Sequence, residues 1–161
     1  MRHRGSEQGE GSRAALLVTA ALVIGLSLAA VPQSSAIAGD PGPCALPRLK
    51  GETVHNHVKR LIHCSTSHWH VFGGYDKALC IARRESGLNP KAVSSDGKYL
   101  GLYQHYKRYW PGRYATYSKS AWQLPESALV GRTAAVVSIR MAHAVGWDPW
   151  RGKGCAVKHR H

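Results

Sequence analysis

The sequence predicts a predominantly helical α+β domain with a small β-hairpin or irregular β region and two disulfides. Three observations carry that prediction. Apolar residues recur at helical spacing in separate segments. Between those segments, Ser95-Asp96-Gly97 is a turn signal followed by an aromatic and aliphatic stretch, as in a short hairpin. The chain has 4 cysteines, an even number, and all follow what reads as an export signal.

The elements follow in order. Arg2, Arg4 and Arg13 precede an uncharged apolar run from Ala14 to Ala30, and Ala36-Ile37-Ala38 is an A-x-A cleavage site. Residues 1–38 therefore read as a signal peptide. The run is short for a transmembrane helix, which needs about 20 apolar residues, so a membrane link is expected only if the segment stays uncleaved as an anchor. Residues 39–50 are a Pro/Gly-rich lead-in, 51–155 the folded domain and 156–161 a basic tail. A first helix is predicted over 51–63, with Val54, Val58, Leu61 and Ile62 on one face. A loop over 66–74 holds Trp69 and Phe72. A second helix is predicted over 75–86, with Asp76 as N-cap or first-turn acid and Gly87 as its stop. The irregular hairpin falls within 90–104. Residues 105–120 interleave tyrosine and tryptophan with lysine and arginine. A further helix is predicted from about Glu126 to His143, facing inward through Val130, Ala134, Val137 and Met141 and ended by Gly146.

The charge balance, 22 Lys plus Arg against 9 Asp plus Glu, points toward polyanionic partners such as a cell wall, a membrane surface or nucleic acid. Export disfavours nucleic acid, and no nucleic-acid partner is expected. Four cysteines permit three pairings. The expected ones are Cys64–Cys80, closing a short loop, and Cys44–Cys155, joining the two ends. No C-x-x-C pair is present, and the 10 histidines, including His55/His57 and His68/His70, lack a cysteine or carboxylate at ligand spacing. Neither a metal nor another cofactor is expected.

Glu85 stands out because it lies at i+7 from Ala78 on the face shared with Ile81 and Ala82. Burial and the carbonyl end of the helix both raise a carboxyl pKa, while screened surface cations lower it less. A glutamate kept protonated in this way can act as a general acid.

The residues around it resemble a known family. Glu85-Ser86-Gly87-Leu88-Asn89-Pro90, then Ala92-Val93-Ser94, then Gly101-Leu102-Tyr103-Gln104, are similar to the ES … GLMQ signature of soluble-lytic-transglycosylase (SLT) domains, in particular the short secreted actinobacterial type. The ending Gly146-Trp147-Asp148-Pro149-Trp150, after a helix containing IRMAH, is also similar. The resemblance spans about residues 71–150. It implies a lysozyme-like fold acting on peptidoglycan, with Glu85 as catalytic acid/base, Gln104 lining the cleft floor and Ser86 orienting the catalytic turn. Tyr103 stands where the family has Met and could stack on a sugar or simply pack. The usual Ala-Tyr-Asn segment has no counterpart. Animal-type lysozymes carry an Asp two positions before the corresponding Gly, where this sequence has Tyr99.

Glycosidases commonly use two carboxylates, about 5–5.5 Å apart when retaining and about 6.5–9.5 Å when inverting. Asp96 is the other acid in the motif region, in the Asp-Gly context of a turn. The expected route uses Glu85 alone and yields 1,6-anhydromuramoyl ends; attack by water would make the protein a lysozyme instead. Aromatic faces suit a sugar cleft, which makes Tyr103, Tyr109, Trp110, Trp147 and Trp150 candidates for substrate contact. The alternative to an enzyme is an inactive lysozyme-like binder of anionic wall polymers. The expected partners are peptidoglycan glycan strands, with anionic wall polymers as a further candidate; the expected state is a monomer, secreted or wall-associated.

Overall fold

The computed structural model describes residues 42–151 and 154–156; the expected signal segment and most of the basic tail lie outside these. Helix α1 spans Val54–His68, α2 Gly74–Ser86, α3 Trp110–Tyr117 and α4 Gly131–Val145. One two-stranded antiparallel sheet pairs β1 (Tyr99–Leu100) with β2 (His105–Tyr106). The predominantly helical α+β expectation therefore holds.

Helix α1 starts later and runs further than the apolar spacing predicts. Thr53 Oγ1 accepts from the Asn56 N–H at 3.2 Å and caps the first turn. At the other end the hydroxyls of Ser65 and Thr66 donate back to the carbonyls of Leu61 (2.8 Å) and Ile62 (3.0 Å). Those bonds satisfy the buried hydroxyls, so polar residues continue the helix as far as His68. Helix α2 matches its prediction closely. Its buried face is Ala78, Ile81 and Ala82, Asp76 sits in the first turn, and Gly87 closes it at φ +62 with its N–H on the Arg83 carbonyl.

Helix α4 is the centre of the domain. Residues from Thr133 to Ile139 are all buried, and α1 and α3 pack against it. An all-round buried helix needs no polar stripe, which is why Val136 and Ile139 join the expected Ala134, Val137 and Met141 in the interior. Val130 is only half-buried, at the N-cap. The helix begins at Gly131 rather than near Glu126 because the preceding residues form turns, with Ser127 N–H on Pro125 O and Val130 N–H on Ser127 O. That turned segment presses its Ala128 carbonyl against Gly101, where any Cβ would overlap it. Gly146 ends α4 as predicted, its N–H on Ala142 O at 2.9 Å.

The hairpin sits slightly later than expected. The turn around Asp96 leads into β1, and an isolated bridge joins Val93 to Leu100. The loop between β1 and β2 then carries two left-handed residues, Gly101 (φ +76) and Gln104 (φ +47).

The disulfides overturn the expected pairing. They join Cys44 to Cys64 and Cys80 to Cys155. Loop-closure entropy varies only with the logarithm of loop length, so a short loop is a weak selector. The selector here is packing: the lead-in runs back over the end of α1, where Cys44 meets Cys64 and Ser65, while the C-terminal segment returns to α2 at Cys80. Two such bonds are consistent with an extracellular protein.

Non-reducing peptide mapping should recover Cys44–Cys64 and Cys80–Cys155 and no Cys64–Cys80 peptide. With partners 75 positions apart in sequence, against 20, removing Cys80–Cys155 should destabilise the domain more than removing Cys44–Cys64. The chain-entropy relation puts the two losses at roughly 4.5 and roughly 3.3 kcal/mol, measurable by denaturant unfolding of paired Cys→Ala variants.

Candidate active site

The site is built where α2 stops. The Ser86 hydroxyl is shared between the Ala82 carbonyl at 3.1 Å, within the helix, and the Leu102 carbonyl at 2.8 Å, in the loop between β1 and β2. Tyr103 drives into the core beneath α2, with no exposed surface, and its hydroxyl donates to the Ala78 carbonyl at 3.2 Å. Trp150 closes from the other side, its Nε1–H on the Tyr103 carbonyl at 2.8 Å. The left-handed backbone of Gln104 then turns the chain, and its amide Nε2 donates to the carbonyls of Gly101 (2.9 Å) and Ala92 (3.3 Å).

These contacts open a cleft beside Glu85, which is half-buried one residue before Ser86. The cleft has a volume of about 350 Å³ and is lined by Glu85, Arg84, Gln104, Tyr99, Pro149 and Trp150. A second hollow of about 570 Å³ shares Tyr99, Gln104, Pro149 and Trp150 with it. It adds Asp96, Lys98, Tyr106, Tyr109 and Arg113, so the two adjoin as one groove. Along its wall Tyr99, Tyr106 and Tyr109 follow one another with ring centroids 5.3 Å apart at each step.

Of the sequence-predicted site residues, the structure brings Glu85, Gln104, Tyr109 and Trp150 to this groove. Three aromatic candidates go elsewhere. Tyr103 is a core residue, because its ring fills the space between α2, Trp147 and Trp150. Trp110 is buried against Ala128 and Val137, and Trp147 is buried with its Nε1–H on the Phe72 carbonyl. Trp147 lines a separate cavity of about 410 Å³ with Phe72, Lys77 and Asp148. Ser86 lies outside the lining of the groove and acts through the hydrogen bonds that tie the helix to the loop. Tyr99, Tyr106 and Arg113 were not anticipated as site residues. The tyrosines had a weak signal in their aromatic character, but the turn predicted at Ser95-Asp96-Gly97 precedes both, whereas the pairing that joins them reverses through 101–104. Arg113 had none, being one of many cations.

Asp96 is an ionised turn residue. The Ser94 hydroxyl at 2.6 Å, then the Lys98 N–H and the Lys98 ammonium, hold its pKa down to about 2. Glu52 is paired with Arg60 and Asp148 with Arg151, and neither acid lines the groove. His105 lies beneath the groove, fully buried, and burial followed by the Arg113 charge lowers its pKa to about 3. Its Nδ1 accepts from Arg113 at 2.8 Å, which puts the ring proton on Nε2, directed at the Ser138 hydroxyl 2.7 Å away.

Among the described residues, Cys44, Cys64 and His68 are close enough to bind a metal, but both sulfurs are consumed in a disulfide. Comparison with protein-family models, curated proteins and solved structures returns no match.

Replacing Ser86 with Ala should lower unfolding stability by about 1 kcal/mol through loss of the bond to Leu102, read by denaturant titration. His105 is neutral when folded but takes up a proton near pH 6.5 when unfolded. Its contribution to stability is therefore complete above that pH and declines as pH falls from about 6.5 toward about 3. The His105→Gln variant should show a shallower loss than wild type between pH 7.5 and 4.5 in the same measurement.

Proposed function

We propose that the chain is an exported peptidoglycan-cleaving enzyme of lysozyme-like fold, a lytic transglycosylase with Glu85 as its single acid/base. The observation that carries this reading is the position of Glu85 at the mouth of an aromatic groove, with Gln104 beside it. The groove's volume and its tyrosine wall suit a glycan strand, because sugar C–H faces pack on rings and rim hydroxyls take hydrogen bonds. The disulfides and the basic surface agree with action on an anionic wall outside the cell.

In this mechanism the Glu85 carboxylic acid protonates the glycosidic oxygen between N-acetylmuramic acid and N-acetylglucosamine as the C1–O4 bond breaks. The substrate's own N-acetyl oxygen stabilises the positive charge at C1. The Glu85 carboxylate then takes the proton from the muramoyl 6-hydroxyl, and O6 bonds to C1 to close the 1,6-anhydro ring. The glutamate ends protonated, ready for another cycle, and no water is consumed.

A hydrolytic outcome has one observation in its favour: Asp96 places a second, ionised carboxylate on the groove. Its hydrogen bonds to Ser94 and Lys98 assign it a turn-holding role in the transglycosylase reading.

Incubation with purified cell walls should release soluble muropeptides one water lighter than reducing-end products, as read by mass spectrometry. Glu85→Gln should lower turnover by about 10²–10⁴-fold, the usual contribution of general acid–base catalysis. Asp96→Asn should leave the product ends anhydro. Reducing ends from the wild type would establish the lysozyme instead, and no release at all would leave only a wall-binding domain.

A further inference from the structure

Arg113 is a cation that the chemistry at Glu85 does not use. It is half-buried on α3 and lines the groove beside Tyr106 and Tyr109. One guanidinium N–H is committed to His105 Nδ1, and His105 is itself fixed by Ser138 on the central helix α4. The acceptor is thus a neutral ring rather than a carboxylate. Among the described residues no acid pairs with Arg113, and the groove's Asp96 is already engaged by Lys98 at 3.0 Å. The Tyr109 ring centroid lies 5.8 Å from the guanidinium carbon and further orients the group. A partly desolvated guanidinium with a neutral partner retains donors suited to a bidentate anion.

We propose that Arg113 forms a carboxylate subsite in the groove, with Tyr99, Tyr106 and Tyr109 supplying ring faces for the sugar that bears the acid. The inference rests on the glycan-cleaving reading of the groove for its substrate class. A free carboxylate on a peptidoglycan fragment has two sources, the lactyl ether of a muramic acid stripped of peptide and the stem peptide itself. The buried pair of His105 and Ser138 makes the cation a fixed fixture of the wall, unlike the surface lysines.

Calorimetric titration of the full chain carrying Glu85→Gln, which prevents turnover, separates these cases. Three probes are used: a neutral N-acetylglucosamine tetramer, a peptide-free peptidoglycan tetrasaccharide with lactyl carboxylates, and the same tetrasaccharide with stem peptides. At least one acidic probe should bind roughly ten- to a hundredfold more tightly than the neutral one, the range of a charge-assisted hydrogen bond. The acidic probe that is preferred identifies the source. Adding Arg113→Gln should abolish that preference, so that affinity for the acidic probe falls to that for the neutral one. Arg113→Lys, which keeps a donor for His105 but loses the planar fork, should retain only part of it and decides the matter if the Gln variant fails to fold. Equal binding of neutral and acidic probes, a preference that survives both substitutions, or no binding of any probe would overturn the subsite. Wall turnover by wild type is a separate readout. Turnover without an Arg113-dependent preference removes the subsite and keeps the Glu85 reading; the preference without turnover does the reverse.

Discussion

The groove depends on how the last turn of α2 is held to the loop that follows β1. A helix end leaves carbonyls without partners and tends to fray. Here the Ser86 hydroxyl reaches across to the Leu102 carbonyl, and Tyr103 threads under the helix to the Ala78 carbonyl. Trp150 then bonds the Tyr103 carbonyl from the opposite side. Two segments distant in sequence, α2 and the stretch at Trp150, are thereby fixed around one short loop, and Glu85 and Gln104 line the same cleft beside it. The left-handed backbone at Gly87, Gly101 and Gln104 lets the chain reverse tightly enough for this.

A second layer of order lies behind the groove. His105 occupies a fully buried position on β2 and is neutral, yet it organises two polar groups. Its two ring nitrogens connect Arg113 on α3 to Ser138 on α4, so a hairpin residue sets the position of a cation on a helix. The price of burying an ionisable ring is small because each nitrogen has a partner and the ring carries no charge. The acidic counterpart is sparse: in so basic a chain, Glu85 and Asp96 are the carboxylates that line the groove, and their environments differ sharply. Asp96 is exposed and held ionised by its own turn, whereas Glu85 sits half-buried at a helix end.

Helical spacing in the sequence was enough to place α2 and its glycine stop, and the face shared by Ala78, Ile81, Ala82 and Glu85 pointed to the acid. The placing of Gln104 near Glu85 was expected from the family resemblance, not from periodicity or composition, and the two residues line one cleft. Boundaries at α1 and α4 were not, because they depend on side-chain hydroxyls returning to the helix and on a close approach between Ala128 and Gly101. Aromatic side chains were the least legible. Composition cannot separate a tryptophan that packs from one that lines a surface, and Trp110 and Trp147 turned inward while Tyr99 and Tyr109 stayed out. The disulfide partners were misassigned for a related reason: the pairing follows where the two chain ends return in space, and that is a tertiary fact.

The two cross-links also divide the backbone unequally. One encloses residues 44–64 and the other 80–155, so a single protease cut inside either loop leaves both pieces covalently attached. Residues 65–79 belong to neither loop, and they include Phe72, which is 67 % exposed. A nick there would leave α1 and the lead-in with no covalent link to the segments that form the groove, held to them by packing alone. Covalent protection against a single cut is therefore concentrated on the part of the chain that holds Glu85, and the stretch around Phe72 is its unguarded seam.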